Sequence, residues 1–458
     1  MKRVILLLVM AVLLIFSLSF GCEAEYWEQV ASNGFGNPSN DYAWCMATFQ
    51  GKLYVGTLNT LQGGEIWRSA SGEPGSWEMV YKSRSSVFSN AGVRYLYTDA
   101  NQALYACTLN SLGAEILRTT DGKEWTVVKK VIGRRWNTTI RCMVRFGEYL
   151  YAGAGGYGAE LYRSKDGLSW RLVKTKPSFQ SSKVYDPQAR AAVVNNTMIG
   201  ELAVFHDQLY AFTWTKEARY RDLAEHVFGY EVDRPTYMSN SPGAFEVWRS
   251  SDGVEWEKVI GLDDKYGNGM GLSLRDPAGL ANDVVTSALV FHDQLYMGTQ
   301  NANGNSTIWR TSDGTSWSKV LDFSELGERA NYYIWRMISF QDKLFVGTMN
   351  VGPITAPGVT GAQIWVSPSG DYGSFTNLVH NGFDGESWTN GAGLEIPKNI
   401  GVRSFGILND TLYAGTAVIP SVIIPRECSP YGIYSFLSHQ QKVIAGRDVG
   451  CEIWRLVQ

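Results

Sequence analysis

Apolar and polar positions alternate in short runs along the chain, and the runs recur. "FQGKLYVGT" (49–57), "FGEYLYAGA" (146–154), "FHDQLYAFT" (205–213), "FHDQLYMGT" (291–299), "FQDKLFVGT" (340–348) and "LNDTLYAGT" (408–416) share one pattern, with a looser copy, "ANQALYACT", at 100–108. Period-two alternation interrupted by a few polar or glycine residues predicts a β-hairpin. A second pattern follows: "EIWRSASGEPGSWEMV" (65–80), "EILRTTDGKEWTVV" (115–128), "ELYRSKDGLSWRLV" (160–173), "EVWRSSDGVEWEKV" (246–259), "TIWRTSDGTSWSKV" (307–320) and "QIWVSPSGDYGSFTNLV" (363–379). It too predicts strand, turn, strand, so each repeat supplies the four antiparallel strands of one propeller blade. The last copy, "EIWRLVQ" (452–458), stops before its fourth strand, and the missing piece is "YWEQV" at 26–30. The expectation is an all-β, seven-bladed β-propeller. Its ring is closed by the N-terminal strand 26–30 joining the last blade, and residues 23–458 form a single domain.

The outer turns read R-[ST]-x-D-G-x-x-W at Asp121-Gly122, Asp166-Gly167, Asp252-Gly253 and Asp313-Gly314. This turn resembles the Asp-box (BNR) repeat of the sialidase-like propellers. It is one residue shorter between Ser and Trp, and Ser71-Gly72 and Ser369-Gly370 stand in for Asp-Gly in two copies. The resemblance implies the fold and leaves activity open. Asp accepts backbone N–H bonds, Gly takes positive φ and Trp packs, so these aspartates read as turn residues. The recurring Glu and Arg of "EIWR" serve the blade for the same reason. True sialidases carry an arginine triad on six blades, and no such site carries over here. Some polysaccharide lyases are seven-bladed and pair His and Tyr with Arg. Tyr185, His226, Tyr230, Tyr237, Tyr332, Tyr333 and His380 are available for such a role, and no spacing selects among them.

The formal net charge of −3 gives no basic excess for nucleic acid. Lys2 and Arg3 precede an apolar run from Val4 to Phe20, followed by Gly21 and Cys22. This reads as a signal peptide over 1–22. The site resembles a bacterial lipobox, which leaves open lipidation at Cys22, simple cleavage, or an uncleaved anchor. The expected location is extracytoplasmic, secreted or held to the membrane by lipid at Cys22. Cys428 and Cys451 bracket one insertion and are candidates for a disulfide. Cys45, Cys107 and Cys142 read as small buried hydrophobes. No metal-ligand spacing is apparent, "DDKYGNG" (263–269) being only loosely calcium-like, and no cofactor is assigned.

Long segments interrupt the repeats on one side of the ring. Trp214–Ala244, Asn350–Gly361 and Ala417–Gly450 lie between second and third strands; Lys174–Thr197, Ile260–Val284 and His380–Ile400 lie between blades. Residues 215–230 have the spacing of a short amphipathic helix. Segments of this length are usually functional or disordered. Near the same face, the innermost strands carry Arg94, Arg141, Glu201, Arg336 and Arg403, at positions that vary between blades. Arginines converging on a funnel suit a carboxylate, sulfate or phosphate. Trp214, Tyr333 and Trp388 add aromatic surface for a sugar face or a protein. These observations point to an extracytoplasmic binding or scaffold propeller, monomeric, recognising a glycan or protein through the loop-rich face over blades three to seven. A lyase or hydrolase on acidic glycans, and an assembly factor for a membrane complex, are the alternatives.

Overall fold

The computed structural model describes residues 25–457 apart from 85–89, 101, 111, 132–136, 157, 187–190, 216–244, 262–281, 302–305, 329–330, 351–360, 390–394 and 419–449. Each repeat forms the strands its alternation predicts. In the first, Tyr42–Phe49, Lys52–Leu58, Glu65–Ser69 and Glu78–Lys82 run antiparallel. Further units begin at Gly92, Thr139, Met198, Asn282, Asn331 and Gly401. The last unit takes its outer strand from the other end of the chain. Tyr26–Ala31 pairs with Ile453–Val457, Trp27 opposite Leu456 and Gln29 opposite Trp454, and Val30 is buried.

The expected seven-bladed β-propeller, its ring closed by the N-terminal strand 26–30 joining the last blade, is nevertheless not what the structure shows. One continuous 28-stranded sheet contains every unit. Its 14 inner strands close on themselves as an antiparallel barrel-like ring, and 14 outer strands project from it. Single bridges join each unit to the next: Leu58 to Gly92, Leu109 to Thr139, Gly155 to Met198, Trp214 to Val284, Gln300 to Tyr333 and Met349 to Gly401. Ala417 to Tyr42 closes the circle. Closure is therefore made in the inner ring, and strand 26–31 completes only the last outer pair. A β-bulge in every first strand is the physical reason. The register skips Trp44, Arg94, Arg141, Gly200, Thr286, Trp335 and Arg403. A bulge bends its strand and increases the local twist. The first residues thereby pair with their own hairpin on one edge and the preceding unit on the other. A one-residue bridge leaves no periodicity, so alternation alone does not announce it.

Packing remains propeller-like, because the apolar cores lie between units rather than within them. Cys45, Phe49, Tyr54 and Ile66 of the first unit pack with Val93, Leu96, Leu104 and Leu117 of the second. Side chains at or beside the bulges tie neighbours together. Cys45 Sγ donates to the Val93 carbonyl at 3.2 Å, Ser404 Oγ to that of Ala43 at 2.6 Å, and Thr286 Oγ1 to that of Ile334. Burial pushes the Cys45 thiol up to about 12 and Cys142 well above its ordinary value, so both stay neutral as expected of buried cysteines.

The outer turns are set by local chemistry. Asp121 Oδ1 accepts N–H bonds from Lys123 (2.8 Å) and Glu124 (2.9 Å), and Thr119 Oγ1 accepts from Gly122 at 2.9 Å. Gly122 has φ 71°, and a Cβ there would lie 1.8 Å from the Tyr54 hydroxyl of the preceding unit. Glycine is needed for conformation and for clearance alike. Arg68 Nη1 completes this latch, donating to the Tyr54 hydroxyl (3.2 Å) and the Gly122 carbonyl (3.1 Å). Tyr105, Tyr151, Tyr210, Tyr296 and Tyr413 approach Gly167, Gly253, Gly314, Gly370 and Gly72 in the same way. The sixth unit carries Phe345 and Val366 at the tyrosine and arginine positions, and its neighbour is the unit assembled from both chain ends, which has no such turn.

Removing the hydroxyl in Tyr54→Phe takes from the buried Arg68 one of its partners, the Gly122 carbonyl and Glu78 remaining, and should cost about 1 kcal/mol in urea unfolding, whereas Phe345→Tyr should give no gain. The backbone N–H groups of Lys123 and Glu124, with the Thr119 hydroxyl that donates to the same Oδ1 at 2.9 Å, hold the Asp121 carboxyl down at about 2, so it stabilises the fold fully above about pH 4 and ceases to as pH falls through about 2. Asp121→Ala should lower the urea midpoint at pH 6, and the deficit should close by pH 2 when midpoints are compared across that range.

Candidate functional site

Each bulge residue lies five positions before the end of its strand, as Trp44 does before Phe49 and Arg94 before Asp99. Six of the seven, together with their successors Cys45, Tyr95, Glu201 and Ser404, line a cavity on the ring axis, which Arg336 enters as well. Its volume is about 30 Å³, room for about two water molecules. On the loop-rich side lies a buried aromatic collar, with Tyr42, Trp44, Trp214, Tyr333 and Trp335 in one cluster.

All five charged residues predicted from the strands meet here: Arg94, Arg141, Glu201, Arg336 and Arg403. The guanidinium of Arg141 lies 3.6 Å from the Trp214 ring centroid, that of Arg94 4.8 Å from Trp44, and that of Arg403 5.0 Å from Trp335. Arg336 crosses the ring to Glu201 at 2.8 Å and lies 5.3 Å from the Tyr95 ring. Four arginines thus face one carboxylate among the described lining residues, and that carboxylate is engaged. Burial pushes Glu201 up despite Arg336. Burial and the like charges of Arg94 and Arg336 lower Arg403 to about 9, so it still carries its proton at neutral pH.

The remaining predicted residues are placed differently. Trp214 is no exposed platform: it is 2% exposed, and its Nε1 donates to the Val285 carbonyl at 3.2 Å. Tyr333 is likewise buried, its ring 5.7 Å from Trp335. Trp388 lies in the strand Ser387–Thr389, which pairs with Glu395–Pro397 outside the main sheet; its side chain is outside the described part. Cys22, Cys428, the helix expected at 215–230, the segment 263–269, His226, Tyr230 and Tyr237 also lie outside the described residues. Cys451 is buried, and its pairing with Cys428 is not placed. His380 is half exposed and 3.9 Å from Glu328. Among the described residues no histidine lines the cavity.

Sequence reasoning missed Tyr42, Trp44, Tyr95 and Trp335. Aligning the seven inner strands on their last residue would have pointed to Trp44, Tyr95 and Trp335, since the columns Trp44, Arg94, Arg141, Gly200, Thr286, Trp335, Arg403 and Cys45, Tyr95, Cys142, Glu201, Ser287, Arg336, Ser404 vary between units where their neighbours repeat. It also missed a recurring asparagine at the root of the loops. Asn40, Asn90, Asn137, Asn196 and Asn399 donate to Glu65, Glu115, Glu160, Glu246 and Glu452 at 2.7, 2.9, 2.6, 2.5 and 2.6 Å. Asn331 donates to Gln363 at 2.8 Å. These pairs give the recurring glutamates a structural role, as their repetition implied.

No family model and no curated protein sequence matches the chain. Among solved structures it is similar to the GH74 enzyme of Niastella koreensis at 13% identity and a TM-score of 0.46, covering 86% of this chain and about half (52%) of that one. It is similar to U3-55K at 9% identity and a TM-score of 0.47, covering 94% and 98%, and to a chain of the mitotic checkpoint complex at 11% and 0.42, covering 81% and 82%. Likenesses this distant carry nothing about activity.

Truncating Arg336 leaves Glu201 buried without its cation. Arg336→Met should cost about 2–3 kcal/mol in urea unfolding, discounted for the partial exposure of Arg336. Adding Glu201→Gln should recover most of it; a double variant as unstable as the single one would mean the pair is not the source.

Proposed function

We propose that this protein is an extracytoplasmic binding or scaffold protein that recognises a glycan or protein ligand through the loop-rich face over units three to seven. One observation carries the reading: the long segments spring from the most firmly held part of the ring. The insert after Trp214 leaves from Thr215 and returns at Phe245, both fully buried, and Thr213 donates its N–H to the Glu246 carbonyl at 2.9 Å. The segment between units three and four is held too: Phe179 packs edge-on against Trp248 and Trp256. Rigid roots under variable loops are how binding scaffolds combine stability with specificity. The N-terminal signal-like sequence supports export, and Cys22 supports attachment to a membrane. The turn resemblance to Asp-box repeats supports kinship with that superfamily.

Because the ends of the fourth-unit insert are hydrogen-bonded neighbours, replacing 216–244 with a short Gly-Ser bridge should keep the melting temperature within a few degrees. The same variant should lose binding on an array of acidic and neutral glycans, or lose a co-purifying protein partner. Undiminished binding would remove this insert from the recognition surface.

A further inference from the structure

We infer that the side of the ring carrying the short hairpin turns is the surface that fronts a lipid membrane, and that the loop-rich face is displayed away from it. The inference rests on attachment through Cys22 and adds what that reading leaves open, the orientation of the ring on its anchor. The register of the last unit gives the first argument. Tyr26 lies opposite Val457, and the strand Ile453–Val457 runs antiparallel to Thr411–Ala417, with Gly415 opposite Ile453 and Tyr413 opposite Arg455. Val457 therefore lies toward Thr411 and the turn Asn409–Asp410, and so does the start of the N-terminal strand.

An ion pair gives the second. Glu25, the residue before that strand, meets Lys343 at 3.3 Å. Lys343 opens the strand Lys343–Asn350, directly after the exposed turn Gln341–Asp342. The long segment 351–360 leaves from the other end of the same strand, at Asn350. The N-terminal exit and a long segment thus sit at opposite ends of one strand, about 23 Å apart at the usual rise per residue. Reach gives the third. Glu25 is three residues from Cys22, at most about 11 Å of extended chain. A lipid on Cys22 brings the bilayer to the short-turn side and cannot bring it past the ring to the loops. Charge leaves the anchor to act alone. Asp207, Asp293, Asp342 and Asp410 are exposed at the inner turns of units four to seven on this side, and phosphate headgroups repel carboxylates. The ring stands on its tether rather than adsorbing, with its loops open to a ligand.

The test uses the full chain expressed with its own leader, recovered from membranes and reconstituted in phosphatidylcholine vesicles that carry an acceptor dye on the headgroup. Cys45, Cys107, Cys142 and Cys451 are buried, so in a Cys428→Ser background a donor dye goes to one introduced cysteine. Ala70→Cys, exposed in the first unit's outer turn, reports the short-turn side, and Thr60→Cys, half-buried in the loop after Leu58, reports the loop-rich side. The two positions differ in height by about 20 Å, so transfer should be about two-fold or more stronger from Ala70→Cys. Equal transfer from both, or stronger transfer from Thr60→Cys, would overturn the orientation. Inserting about twenty Gly-Ser residues before Glu25 extends the tether's reach to about 25 Å and should erase the difference; a difference that persists would overturn reach as its cause. Cys22→Ser should leave the protein in the soluble fraction. If the unaltered chain is itself soluble and carries no lipid mass on Cys22, attachment fails and the orientation with it, whereas equal transfer from a membrane-bound chain fails the orientation alone.

Discussion

No unit of this ring finishes its own core. Phe49 and Tyr54 of the first unit are covered by Val93 and Leu104 of the second, and Cys142 and Tyr151 of the third by Ile199 and Leu209 of the fourth. The hydrophobic driving force therefore acts around the circle rather than inside any four-stranded piece, and closure becomes a condition of stability for every unit at once. The inner bridges, the thiol and hydroxyl staples and the tyrosine latches all operate at these junctions. They align neighbours whose association burial has already made favourable.

The bulges connect this constraint to the centre of the molecule. A regular first strand would present its alternate residues evenly to either side. One extra residue per strand brings six of the seven bulge positions to the axial cavity, and at those positions the repeats vary. Where the sequence must serve the junctions it is monotonous, as in the tyrosines that meet the glycine of the neighbouring turn. Where it serves the axis it varies, from Gly200 to Trp335 to Arg403. The buried aromatic collar fills the strand ends beside the arginines, where an open funnel was expected.

Much of this was legible in the chain. Alternation with period two located the strands, the copies of "LY" and "EIWR" located the units, and the orphan "YWEQV" found its partner in "EIWRLVQ". The five charged residues of the cavity stood out because they broke the repeat. What escaped notice has a common cause. The inner bridges are single residue pairs, the bulges displace one residue, and the burial of Trp214 and Tyr333 depends on neighbours from distant units. A hydrophobic pattern specifies which face of a strand is buried, but it does not specify contacts across a ring, and loop aromatics look alike in sequence whether they cover a core or await a ligand.

Phe345 and Val366 mark the place where the circle is cut. In the first, fifth and seventh units a buried tyrosine and an arginine reach toward the neighbouring turn. In the sixth, phenylalanine and the much smaller valine stand at these positions, and the neighbouring unit takes its outer strand from Tyr26–Ala31. The molecule is thus not free to be opened anywhere. A circular permutant with new ends in the outer turn of the second unit would leave the Tyr54 hydroxyl and the Arg68 guanidinium without the Gly122 turn they now grasp.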